Sequence, residues 1–152
     1  MTDPIAFDST SPRFGLPLLF AGQAQKEIFV NEAHALTDAL LCCSIEGTAT
    51  SPPTTPIEGS AWLVGTSPSG DWAGQAGKVA CRQGGNWLFV TPRDGLRVTN
   101  RVTGQDLRFI GSWRSANRPA AITGGSVIDV QARAQMQNIL DALELAGIFA
   151  VT

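Results

Sequence analysis

The sequence predicts an α+β protein: a small antiparallel β-sheet meander of about five strands, flanked by an N-terminal and a C-terminal helix. Three observations predict it. All four tryptophans (Trp62, Trp72, Trp87, Trp113) fall between Ala61 and Trp113, each beside a glycine-rich turn, as short strands folded back on each other require. The stretch Gln23–Leu41 contains neither proline nor glycine and repeats apolar residues at helical spacing. A second such stretch runs from Asp129, a helix N-cap type, to Gly147, a helix-ending type. Residues 1–21 read as an extended docking arm. Residues 22–152 read as a single domain with a helix at 22–42, a β block at 61–113 and a helix at 129–147.

The arm is polar up to Pro12 and then apolar, with Phe14, Leu16, Leu18, Leu19 and Phe20. Pro12 and Pro17 forbid a continuous helix there, so the segment reads as extended chain laid over an apolar surface of its own core or of a neighbouring chain. In the first helix Phe29, Ala33, Leu36, Leu40 and Cys43 recur at steps of four and three, a 3.5-residue seam. Two readings stay open for this seam: packing on the sheet alone, or contact with symmetry mates as well. Gly47–Gly59 is a proline- and threonine-rich loop.

Strands are expected at 61–64, 78–82, 87–90, 96–99 and 107–110. Gly84-Gly85 marks a two-residue hairpin. Pro92-Arg93-Asp94-Gly95 is a turn with proline where φ must be near −65° and glycine where it must be positive. The helices are expected to cover one face of the sheet. In the second helix Ala132, Met136, Ile139, Leu143 and Ala146 repeat the seam, and residues 148–152 dock as an apolar tail.

The formal net charge of −2 gives no electrostatic footprint for nucleic acid or an anionic membrane. The apolar runs are too short to cross a bilayer, so no membrane insertion is expected. Met1–Asp8 carries two acids and no base, unlike a secretory signal. Cys42, Cys43 and Cys81 read as free, mostly buried thiols of a protein made in a reducing cytoplasm. One histidine, His34, and no CxxC argue against a metal site, and no cofactor is expected.

Nucleophilic catalysis needs a nucleophile, a base and an orienting group, and no such set is visible. The carboxylates are scattered, no pair marks a glycosidase, and no glycine run forms a phosphate loop. No catalytic residue is assigned and the chain does not read as an enzyme. The remaining carriers of function are aromatic rings, which make platforms for sugars and anchors for interfaces. Trp72 lies in the glycine-rich SPSGDWAGQAG beside Asp71 and is expected to be the most exposed of the four; Trp62 and Trp87 read as core, and Trp113 as either. The ligand-binding candidates are therefore Asp71, Trp72 and Trp113. The assembly candidates are the arm residues named above with Phe29, Leu36, Leu40, Met136, Ile139 and Leu143.

The opening PRFGLP, the GQAQKE–NEA helix and the GDWAG turn resemble an uncharacterised family found in prophages and gene-transfer-agent particles, often within tail-fibre, spike or host-recognition proteins. The resemblance spans about Ser11 to Phe149. It implies a virion structural protein of a tail fibre, head spike or adaptor, made in the bacterial cytoplasm. It also implies assembly with itself as a homotrimer, with a pentamer as the alternative, and with other virion proteins. A carbohydrate-binding module that reads capsule or lipopolysaccharide is the second reading, with host surface polysaccharide as partner. A polysaccharide-degrading enzyme is the third.

Overall fold

The computed structural model describes residues 9–19, 22, 26–120, 123–124 and 129–151. Within them the protein is α+β: two helices and eight strands in two four-stranded sheets. The strands are β1 (Ser44–Ile45), β2 (Thr48–Ala49), β3 (Ala61–Val64), β4 (Val79–Gln83), β5 (Asn86–Val90), β6 (Arg97–Asn100), β7 (Gln105–Ile110) and β8 (Ser112–Arg114). The helices are α1 (Lys26–Leu40) and α2 (Val130–Leu145). The chain divides into two compact units, one of residues 1–43 and 48–92, the other of 44–47 and 93–152.

A single antiparallel meander is not what forms. One sheet runs β2-β3-β4-β5 and the other β1-β6-β7-β8, and each carries one parallel pair (β2 with β3, β1 with β6) beside two antiparallel ones. The cause lies in β1 and β2, two dipeptides on either side of Glu46-Gly47. Strands of two residues carry no alternation that a pattern search could see. Gly47 sits at φ +140°, where only glycine is comfortable, and the chain there leaves one sheet and joins the other. The turn at Pro92–Gly95 forms, with Leu96 N–H donating to Arg93 C=O at 3.0 Å, but β5 and β6 do not pair across it.

In the first unit the Gly84-Gly85 hairpin forms as expected. Both glycines have positive φ (+56° and +77°) and Gln83 opposes Asn86, the signature of a type I′ turn. Trp62, Val64, Ala80, Trp87 and Phe89 share one face of the sheet with Trp72 packed against them. Val79, Cys81, Ala61 and Leu63 are buried on the other face.

The described part of the arm is not extended. Ser9–Leu19 turns back on itself: Thr10 bridges Pro17, Ser11 N–H donates to Leu16 C=O while the Ser11 hydroxyl accepts Leu16 N–H, and Leu18 N–H donates to Ser9 C=O. This loop is fastened to α1 of the same unit. The Asp38 carboxylate, with no exposed surface, accepts the backbone N–H groups of Arg13 at 3.0 Å and Phe14 at 2.7 Å. Arg13 in turn donates to the C=O groups of Ala39 and Cys42, which the end of the helix leaves unpaired. Asn31 grips both backbone groups of Leu19. Gly59 completes the fit: a side chain there would meet Arg13 Cγ at 2.9 Å, and its φ is +77°. Phe20 and Met1–Asp8 lie outside the described residues.

In the second unit, Ile45, Val98, Leu107, Phe109 and Trp113 lie on the inner face of the sheet, and Arg97, Thr99, Asp106, Arg108 and Arg114 on the outer. Asp129 caps α2 by accepting Ala132 N–H at 2.8 Å. The helix ends at Gly147 (φ +73°) with bonds from Ile148 to Leu143 and from Gly147 to Glu144, a Schellman motif. The segment after it docks: Val151 N–H donates to Thr103 C=O, and the buried Gln105 amide donates to Ile148 C=O. Arg118 ties the 115–120 segment to Asp141 and Glu144 of α2.

The Asp38 bonds predict the first outcome. Asp38→Asn replaces a charged acceptor of two N–H groups by a neutral one and lowers unfolding stability by about 2 kcal/mol. Denaturant titration measures the loss, and amide exchange rises first at Arg13 and Phe14.

Candidate functional site

The glycine-rich turn with Asp71 and Trp72 is a single 3-10 turn, Gly70–Trp72, that starts from Ser69. Gly70 at φ +60° swings the next two side chains to opposite fates. Asp71 stays in solvent and Trp72 is driven fully into the core, at 0% exposure. The expectation that Trp72 is the exposed ring is therefore corrected. Its indole closes a three-tryptophan cluster, 5.1 Å from Trp87 and 6.2 Å from Trp62, with Trp62 and Trp87 5.7 Å apart. The Trp72–Trp87 planes stand at 85°, the edge-to-face arrangement that aromatic quadrupoles favour. Arg82 lies over Trp87 at 5.2 Å and meets Glu58 at 3.5 Å, which roofs the cluster. A ring with no accessible surface offers no platform to a sugar. Trp113 is half-buried on the inner face of the other sheet, edge-to-face with Phe109 at 5.3 Å. Of the three ligand candidates, Asp71 and Trp72 belong to one unit and Trp113 to the other.

Burial also decides the thiols. Cys42 is exposed, against expectation, while Cys43 and Cys81 are buried and no disulfide forms among them. Burial pushes the Cys81 thiol up to about 12, with the nearby Cys43 and Asp38 adding to the rise and Arg13 opposing it. Cys43 is raised by burial and partly relieved by Arg13. Such thiols are poor nucleophiles.

The apolar seams have the opposite history. The helix α1 packs through Asn31, Ala35, Asp38 and Ala39, small and polar residues that let the backbone of the Arg13–Phe14 loop come close. Its apolar seam lies on the other side of the helix. Phe29 is 74% exposed, Leu40 and the adjoining Ile28 (next to Phe29) and Leu41 (next to Leu40) are exposed, and Leu36 is half-buried. The helix does not cover the sheet with this face, contrary to expectation. The helix α2 behaves alike. It buries no residue outright, leaves Met136 and Ile139 exposed with Leu143 half-buried, and borders a hollow of about 350 Å³ lined by Met136, Ile139, Leu140 and Pro119. Of the arm candidates, Phe14 is exposed and Leu16, Leu18 and Leu19 are half-buried; Phe20 is outside the described residues.

Sequence reasoning passed over two groups. Asp38 was not among the candidates, and its signal is faint: a single acid near the end of the helix, five residues before the last seam position, Cys43. Arg97, Arg108 and Arg114 were invisible as a set, because only strand register aligns them.

Three outcomes follow from burial. Trp72→Ala empties the cluster and costs about 3–5 kcal/mol of stability, read by thermal or urea unfolding. Alkylation of native protein at pH 8, mapped by mass spectrometry, labels Cys42 and spares Cys81. Because the folded Cys81 value lies above the ordinary 9.0, its contribution to stability is whole below pH 9 and is lost as pH rises toward about 12. Melting temperature therefore falls over that range, and falls less in Cys81→Ala.

Comparison with curated proteins finds no significant match. Residues 30–114 match a family described as a protein of unknown function, DUF2793. The match takes in most of α1 and all eight strands and stops before α2. It covers more than half of the sequence, and the chain belongs to the DUF2793 family.

Proposed function

We propose that this protein is a structural module of a phage-like particle, a component of a tail fibre, head spike or adaptor that assembles with copies of itself and contributes to host-surface attachment. One observation carries the reading: α1 turns its small and polar face inward and its apolar face to solvent. An amphipathic helix of a self-sufficient domain does the reverse. Contiguous exposed apolar residues of this kind mark contact surfaces. Covering them stabilises an assembly by about 25 cal/mol per Å² of apolar surface removed from water.

The seam spacing suits helix-to-helix contact between copies, and a homotrimer, with helices near a threefold axis, is the proposed state; a pentamer is the alternative. The seam spans only about two to three heptads, so the sheets must add contacts of their own. The bracing of Ser9–Leu19 against its own α1 moves the docking role from the arm to the helix faces. Support for the particle context comes from the PRFGLP, GQAQKE–NEA and GDWAG stretches.

Sedimentation equilibrium tests the reading. The wild type runs as an oligomer of 16.0 kDa chains, and Phe29→Ser or Ile139→Ser shifts it toward monomer. Both residues are exposed, so the melting temperature of the monomeric form changes little, as for surface substitutions within about 0.5 kcal/mol. A wild type that stays monomeric at micromolar concentration refutes the assembly.

A further inference from the structure

The outer face of the β1-β6-β7-β8 sheet carries a row of cations. Arg97 of β6 lies directly opposite Arg108 of β7, and Arg108 lies directly opposite Arg114 of β8. Directly opposed residues of antiparallel strands project on the same face, so three arginine side chains leave the sheet side by side from backbone positions about 5 Å apart. All three residues are exposed. Among the described residues none of the three side chains has an ion pair or hydrogen bond, whereas Arg101, Arg118 and Arg82 each meet a carboxylate. Like charges set directly opposite each other destabilise a sheet. Asp106 is the one carboxylate on this face of the described strands, so three cations face a single acid and the row keeps excess positive charge for an external anion.

We infer that this row binds an acidic polysaccharide, with carboxylate or sulfate groups seated on Arg97, Arg108 and Arg114. The three arginines border a hollow of about 250 Å³ that also holds Asp106 and Ser115. Asp106 accepts the Thr99 hydroxyl at 2.6 Å and keeps a second carboxylate oxygen for a ligand hydroxyl. Cations interleaved with hydroxyls and a carboxylate suit a chain that alternates acid groups with hydroxyl groups. A nucleic-acid strand fits worse. Its bases need aromatic platforms, and Phe109 and Trp113 point to the inner face of the sheet. Its unbroken phosphates would also meet the Asp106 carboxylate. The net charge of −2 conceals this patch because it averages over both units: the unit with the row holds seven arginines against six acids, and the remaining four bases and seven acids lie in the other.

The inference deepens the attachment part of the proposed function by naming the surface and the ligand class, and it does not depend on oligomerisation. Calorimetric titration of the full chain with polygalacturonate, heparin, neutral dextran and oligothymidylate tests it. At least one of the two acidic glycans binds, the affinity falls as salt rises, and dextran does not bind. Arg108→Thr, in the middle of the row, weakens binding about tenfold, the effect of losing a charge-assisted hydrogen bond. Arg93→Ser, an exposed arginine outside the row, removes the same charge and stays within about twofold. Arg108→Thr also melts no lower than wild type, since it relieves repulsion. Arg114→Thr on the last strand repeats the measurement should β7 not tolerate the change. Absence of binding by both acidic glycans overturns the inference. Equal weakening by Arg93→Ser and Arg108→Thr overturns the site, and tighter binding of oligothymidylate than of either glycan overturns the ligand class. Unchanged sedimentation of Arg108→Thr shows that a loss of binding is separate from any failure of assembly.

Discussion

A carboxylate with no access to water holds the first unit in its form. Asp38 cannot be buried without partners, because an ion withdrawn from solvent costs several kcal/mol unless hydrogen bonds replace its hydration. The partners are two successive backbone N–H groups, those of Arg13 and Phe14, and they can be supplied only if the chain before α1 turns back on itself. That requirement shapes the Ser9–Leu19 loop and brings Arg13 to the open carbonyls of the helix end. It also demands glycine at position 59, where Arg13 passes close. It decides which side of α1 faces inward. The apolar side is left over, and the proposed assembly role rests on that remainder.

The two sheets obey one rule with two outcomes. In the first unit both faces of the sheet are buried, one against the Trp72 turn, the other along the stripe of Ala61, Leu63, Val79 and Cys81. In the second unit only the inner face is covered, and strict alternation sends every second residue of β6, β7 and β8 to solvent. Alternation explains why Arg97, Arg108 and Arg114 are outside. It does not explain why they are arginine. Folding would be served as well by threonine, and the proposed ligand gives the three arginines a role that the fold does not require.

The elements with local causes were legible in the residues. The Asp129 cap, the Gly147 stop and the Gly84-Gly85 hairpin each depend on a few neighbouring residues and formed as expected. The strand Ala61–Val64 was placed to the residue, and the other four lay within two residues of their observed starts. The α+β class held for the same reason. The candidate site was far less legible. Trp72 sat in a run of glycines and small polar residues, the pattern of an exposed loop, yet the loop folds inward because a large indole gains more from burial than a short turn loses.

Periodicity along the chain therefore placed both helices and five of the eight strands, since hydrogen bonding and side-chain alternation act between residues a few positions apart. It could not settle what lies across from what. The pairing of the Ser44–Ile45 and Thr48–Ala49 dipeptides with different sheets, the capture of a loop by Asp38, and the alignment of three arginines from three strands all join residues well separated in sequence. Such contacts are chosen by the burial and neutralisation of charge over a whole unit, and no local pattern encodes that balance.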